Sequence, residues 1–192
     1  NILIFSINPD IARFHAKGEI LKLNAAFNSH WFFSGVIVNI SMLAILPIIE
    51  QIYSIWTKGL LAFDFSLFIL LAASISLINF GSGYYYYLIV INDLISQTVI
   101  TITRVVIIFG AGYFLVNQFE LPGIGLAIVI SEIMCSGILT VYFLKREYHK
   151  TDSLIEVKYF LFAAMPPVVI LFLAMSILFT GGLNIFYWAA AM

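Results

Sequence analysis

Two residues in this sequence could do chemistry inside an apolar environment. They are Arg104, in LISQTVITITRVVIIFGAG, and Glu132, in GLAIVISEIMCSGILT. Each is the only charged residue of its stretch. A charge at mid-bilayer costs at least about 2.5 to 3.5 kcal/mol on insertion scales, so it needs a partner or a wet cavity. Arg104 lies 12 residues from Asn92, and Glu132 lies 12 residues from Leu144. At about 1.5 Å per residue both sit roughly 18 Å in from the same side. The two stretches are joined by a short loop and run antiparallel, so an Arg104–Glu132 pair is predicted. Two roles stay open for it. The pair can neutralise itself and lock the bundle. Alternatively, Arg104 faces a water-filled path and meets an anionic substrate group, while Glu132 carries a proton or coordinates a cation.

Polar neighbours extend the pattern. Glu132, Ser136 and Thr140 recur at i, i+4 and i+8, one stripe on a helix face. Asp93, Gln97, Thr101 and Arg104 stay close to one face of the preceding helix, which adds Asp93 and Gln97 to the candidates. Glu50 is a further candidate near the outer end of an earlier helix, where an interfacial position is the simpler explanation. Four consecutive tyrosines, Tyr84, Tyr85, Tyr86 and Tyr87, mark an interface. Tyr is enriched there because its ring is apolar and its hydroxyl wet. With 3.6 residues per turn, four in a row wrap the helix, and only one or two can face a cavity mouth. No nucleophile motif, P-loop or HExxH is present, and His15, His30 and His149 fall in or near polar segments, so no enzyme, cofactor or metal is expected. The single cysteine, Cys135, sits in an apolar run and reads as a packing residue.

The elements that must hold these residues are membrane helices. The chain has 192 residues, of which 62% are hydrophobic and 10% charged. A soluble domain carries about 25% charged residues. Several apolar runs reach the roughly 20 residues that cross a bilayer core. An all-α, polytopic helical bundle is predicted, a single membrane unit over residues 1–192, with spans at 31–53, 63–91, 94–116, 123–144 and 159–180. Partial helices lie at both ends, as in a fragment of a larger transporter. Residues 9–28 read as an amphipathic link and 145–158 as a polar loop. Pro47 and Pro166-Pro167 are expected to kink their helices.

Orientation follows from the Lys/Arg asymmetry of short loops. Arg13, Lys17, Lys22, Lys145, Arg146, Lys150 and Lys158 fall on one side and Lys58 alone on the other. The first side is the cytoplasm. The net charge of −1 suggests no nucleic-acid partner.

Three features resemble a known family. PDIARFHAKGEILKLNAAF, with Pro9 and Ala16-Lys17-Gly18-Glu19, resembles the cytoplasmic link of polysaccharide flippases in the multidrug/oligosaccharidyl-lipid/polysaccharide exporter superfamily. LPGIGLAIVISEI, residues 121–133, is similar to the Gly-rich, Ala-containing helix start after an extracytoplasmic loop, with one residue between Gly123 and Gly125. The order of elements is similar too: polar link, two helices, a break, two helices, a basic loop. The resemblance covers nearly the whole chain and implies the C-terminal half of an O-antigen-type flippase in the bacterial inner membrane. It implies helical bundles around a cavity that move an undecaprenyl-diphosphate sugar from inner to outer leaflet, for surface polysaccharide and lipopolysaccharide assembly. Partners would be membrane lipid, the lipid-linked oligosaccharide and other polysaccharide-assembly membrane proteins, and coupling to a proton or sodium gradient fits. The alternatives are a small-molecule exporter of the same superfamily, or a non-transporting membrane subunit.

Overall fold

The computed structural model describes residues 2–148, together with Met165, Val168 and Val169. The described chain is all-helical: α1 (Ile2–Ala16), α2 (Ile20–Ile45), α3 (Ile49–Trp56), α4 (Phe65–Val90), α5 (Leu94–Phe119) and α6 (Leu121–Glu132). A π-helical turn over Ile133–Leu139 then leads into α7 (Thr140–Tyr148). Among the described residues three helical segments are long and apolar enough to cross a membrane: Phe65–Val90, Leu94–Phe119 and Leu121–Phe143. The expected spans at 63–91, 94–116 and 123–144 correspond to these three. The expected span at 159–180 and its Pro166-Pro167 kink lie outside the described residues.

Two boundaries differ from expectation. The 9–28 link is two helices rather than one amphipathic segment. α1 runs through Pro9 to Ala16, and α2 begins at Ile20. The chain breaks at Gly18, whose φ of 66° is the left-handed conformation that closes a helix C-terminus. The Gly18 N–H donates to His15 O and the Glu19 N–H to Phe14 O, as a Schellman turn requires. The helix over the span expected at 31–53 starts eleven residues early, inside the link, and it is not among the three segments that are long and apolar enough to cross a membrane. It is interrupted at 46–48, where Pro47 removes a donor and α3 restarts at Ile49.

α4 is the centre of the bundle. Its buried residues include Ile69, Leu70, Ala73 and Leu77, which pack on Val129 of α6. Nearer its C-terminus, Leu88 joins Ile100, Cys135 and Phe143 in a second apolar cluster. α6 lies against both α4 and α5 because its facing residues are small. A Cβ on Gly125 would stand 2.9 Å from Leu70 Cβ, and one on Gly123 would strike the Leu115 backbone. Small residues let helix backbones approach in membranes, where apolar surface alone gives no drive to associate. α2 is bolted to α4 by a buried hydrogen bond from Ser76 Oγ to Asn39 Oδ1, 2.8 Å.

The turn from α4 to α5 takes three residues. Asn92 adopts φ 57°, its N–H donates to Ile89 O, and the Asp93 N–H donates to Leu88 O. Asn tolerates this left-handed position better than most residues. Asp93 then caps α5, accepting from the Ser96 N–H at 3.1 Å. α1 reaches the same end of the bundle, where Tyr87 Oη lies 3.2 Å from His15 Nδ1. This basic end of the bundle carries Arg13, Lys17 and Arg146.

Candidate functional site

The two intramembrane charges meet. Arg104 Nε lies 2.8 Å from Glu132 Oε1, and Arg104 Nη2 donates to Glu132 Oε2 at 3.1 Å. The Nε contact is an ion pair without an aligned N–H. Ser136 joins them, donating to Glu132 Oε2 at 2.6 Å and accepting from Arg104 Nη2 at 3.3 Å. The Glu132 side chain is 3% exposed and that of Arg104 is 30% exposed. That asymmetry decides what each can do. Glu132 is buried in the bundle, where a lone carboxylate would be costly. Arg104 is the partner that opens outward, and its Nη1 makes no hydrogen bond among the described residues.

It opens into a cavity of about 410 Å³. The floor is one face of α4, where Ile75, Ile78, Asn79, Ser82, Tyr85 and Tyr86 recur at helical spacing. Arg104, Ser136 and Thr140 form one wall, and Val38 of α2 joins from another side. The volume falls within the range of about 300 to 1,000 Å³ typical of ligand sites. Along α4 the lining changes from isoleucine to asparagine, serine and tyrosine toward the basic end. Among the described residues no group of His, Cys, Asp and Glu could hold a metal ion.

The tyrosine run divides. Tyr85 and Tyr86 line the cavity, with ring centroids 6.4 Å apart. Tyr84 and Tyr87 are 2% and 5% exposed and pack inside the bundle. An interface belt needs rings that reach the headgroup layer, so these two do not form one. With 3.6 residues per turn, the outer pair, Tyr84 and Tyr87, falls on one face of α4 and the inner pair, Tyr85 and Tyr86, on the opposite one.

Asp93 and Gln97 sit one layer away, at the basic end. Gln97 Nε2 donates to Leu88 O at 3.0 Å, filling a carbonyl at the C-terminus of α4. Asp93 Oδ2 accepts from Ser96 Oγ at 2.6 Å and from Arg146 Nη2 at 2.9 Å. Both residues thus have places in the helix junction, and neither lines the cavity. Burial pushes the Asp93 carboxyl up, but the Ser96 hydroxyl, the backbone N–H groups and the Arg146 charge outweigh it and hold it below its ordinary value. A depressed carboxyl contributes stability above its unfolded pKa, and the contribution is lost as pH falls through the folded value. The melting temperature of wild type minus that of Asp93→Asn is therefore expected to be constant above about pH 5 and to shrink below about pH 4. Thermal melts in detergent across that range check it, and a difference that grows on acidification would contradict the clasp. Glu50 is exposed in the first turn of α3 and makes no ion pair among the described residues.

Sequence reasoning did not identify Asn79, Ser82 or the π turn. Asn79, Ser82 and Tyr86 at i, i+3 and i+7 were a readable polar stripe. The π turn had no such signal. Thr140 Oγ1 donates to Cys135 O at 2.6 Å, five residues back, and the Thr140 N–H donates to the same carbonyl. π turns of this kind are frequent at functional sites.

Compared with known proteins, the chain matches no family model, no curated protein and no solved structure.

Proposed function

We propose that this chain is part of a membrane flippase that moves a lipid-linked sugar diphosphate from the cytoplasmic to the outer leaflet. One observation carries the proposal: a guanidinium near the middle of a span, incompletely used by its acid partner, lines a cavity that two tyrosines also line. A diphosphate needs positive potential inside an apolar shell, and Arg is suited to phosphate because its fork donates in parallel. A sugar needs hydroxyl and amide partners and an apolar ring face. Asn79, Ser82, Tyr85 and Tyr86 supply them in the same cavity. Ile75 and Ile78 offer an apolar surface beside the polar part, which suits an amphiphile.

An exporter of amphipathic cations is the competing function. Such a site would be dominated by acids, whereas the charge lining this cavity is Arg104 and the nearby Glu132 is buried against it. The discriminating experiment deletes the gene in its host and scores surface glycan by stain alongside a panel of cationic drugs. The expected result is loss of glycan, accumulation of the lipid-linked intermediate and unchanged drug sensitivity. Drug hypersensitivity with normal glycan would replace the flippase by the exporter.

A further inference from the structure

The π turn joins two ion pairs made to the same helix. Just before it, Glu132 holds Arg104 of α5, and beyond it Arg146 of α7 holds Asp93 at the start of α5. The register of seven residues, Ile133–Leu139, therefore decides whether both ties can be made at once. A π turn is rarely favoured for itself, so something local must hold it. A threonine hydroxyl in an α-helix bonds the carbonyl three or four residues back. Thr140 instead reaches five back, to Cys135 O at 2.6 Å, and its own N–H donates to that carbonyl as well. Both donors of one residue thus stabilise the wide turn against the α register. Inside that turn stands Ser136, the hydroxyl that bonds Glu132 and contacts Arg104. On its other side Ser136 presses on Gly81 of α4, which leaves it no room to shift that way.

We infer that Thr140 is a positioning residue for the anion site. Through Cys135 O it fixes the π register, the register places Ser136 on Glu132, and that arrangement orients the Arg104 guanidinium toward the cavity. The inference rests on the proposed function for the statement that Arg104 receives an anion. The register part stands on geometry alone.

The test uses the purified full chain in detergent, with farnesyl diphosphate as the probe and calorimetry as the readout. Thr140→Val keeps the shape and removes the hydroxyl, and is expected to weaken binding about fivefold, the worth of one hydrogen bond. Thr140→Ser is expected to restore it. In a Ser136→Ala background Thr140→Val is expected to add nothing, because the two residues act in series. Hydrogen exchange of the 133–140 amides, measured without ligand, is expected to speed up in Thr140→Val. Additive losses, failure of serine to rescue, or unchanged exchange would each overturn the positioning role. If Arg104→Ala binds the probe as well as wild type does, the anion site itself is wrong. The exchange measurement then still decides whether Thr140 holds the turn.

Discussion

Arg104→Ala is expected to abolish transport, and adding Glu132→Ala is expected to restore stability without restoring transport. The single substitution leaves a carboxylate that is 3% exposed, with Ser136 as its remaining donor. Removing one member of a buried pair costs about 3 to 5 kcal/mol, because the other charge stays behind. Glu132→Ala alone leaves the partner that is 30% exposed and lines the cavity, where water can reach it. Its cost is expected to be the smaller of the two. The double variant leaves no orphan charge and is expected to melt above Arg104→Ala. Transport answers differently. A truncated charged contact to the substrate costs about 2 to 5 kcal/mol, enough to slow transport more than about thirtyfold. Thermal melts in detergent read the first effect, and surface glycan per unit of membrane protein reads the second. Export recovered in the double variant would make the pair a structural lock and remove Arg104 from the substrate's path.

Gly81→Ala is expected to damage the same site from the opposite helix. A Cβ there would stand 2.5 Å from Ser136 Cβ, 2.7 Å from its Cα and 2.8 Å from its carbonyl oxygen. Two of those atoms are backbone, so no side-chain rotation relieves the overlap. Overpacking of this kind costs about 1 to 3 kcal/mol. It would also drive the π turn away from α4 and carry Ser136 off Glu132. Gly137, one residue along, is the control, since a Cβ added there meets nothing within 4 Å. Gly137→Ala is expected to be neutral, or more stable by up to about 1 kcal/mol through helix propensity. Melting temperatures of the two variants measure the contrast. Equal behaviour would mean that α4 and the π turn are not in close contact.

The meeting of Arg104 and Glu132 was legible because charges are rare in these stretches. Depth along an antiparallel pair is fixed by residue count. A kink at Pro47 was legible because proline removes a donor, but the full break between α2 and α3 was not. Other features depend on tertiary contacts that leave no local mark. Asp93 and Gln97 share a helix face with Arg104, yet helix-end hydrogen bonds claim them, since capping outweighs a shared face at a junction. The four tyrosines had to wrap α4, but which pair met the cavity depended on how α6 and α2 dock. IMCSGIL contains nothing that separates a π turn from an α turn. Its register comes from Thr140 behind it, Gly81 beside it and the two ion pairs that bracket it.

The separation of 28 residues between Arg104 and its acid has a consequence for biogenesis. A ribosome adding about 5 to 20 residues per second makes Arg104 roughly 1 to 6 s before Glu132 exists. During that interval the helix would offer the bilayer a bare guanidinium. The single residue between Phe119 and Leu121 reverses the chain at once, so α5 and α6 are built to enter as a hairpin. The arginine's acceptance by lipid is thus settled by the helix that follows it. A stop placed after α5 should leave a chain that inserts poorly and is degraded, while one placed after Tyr148 should insert.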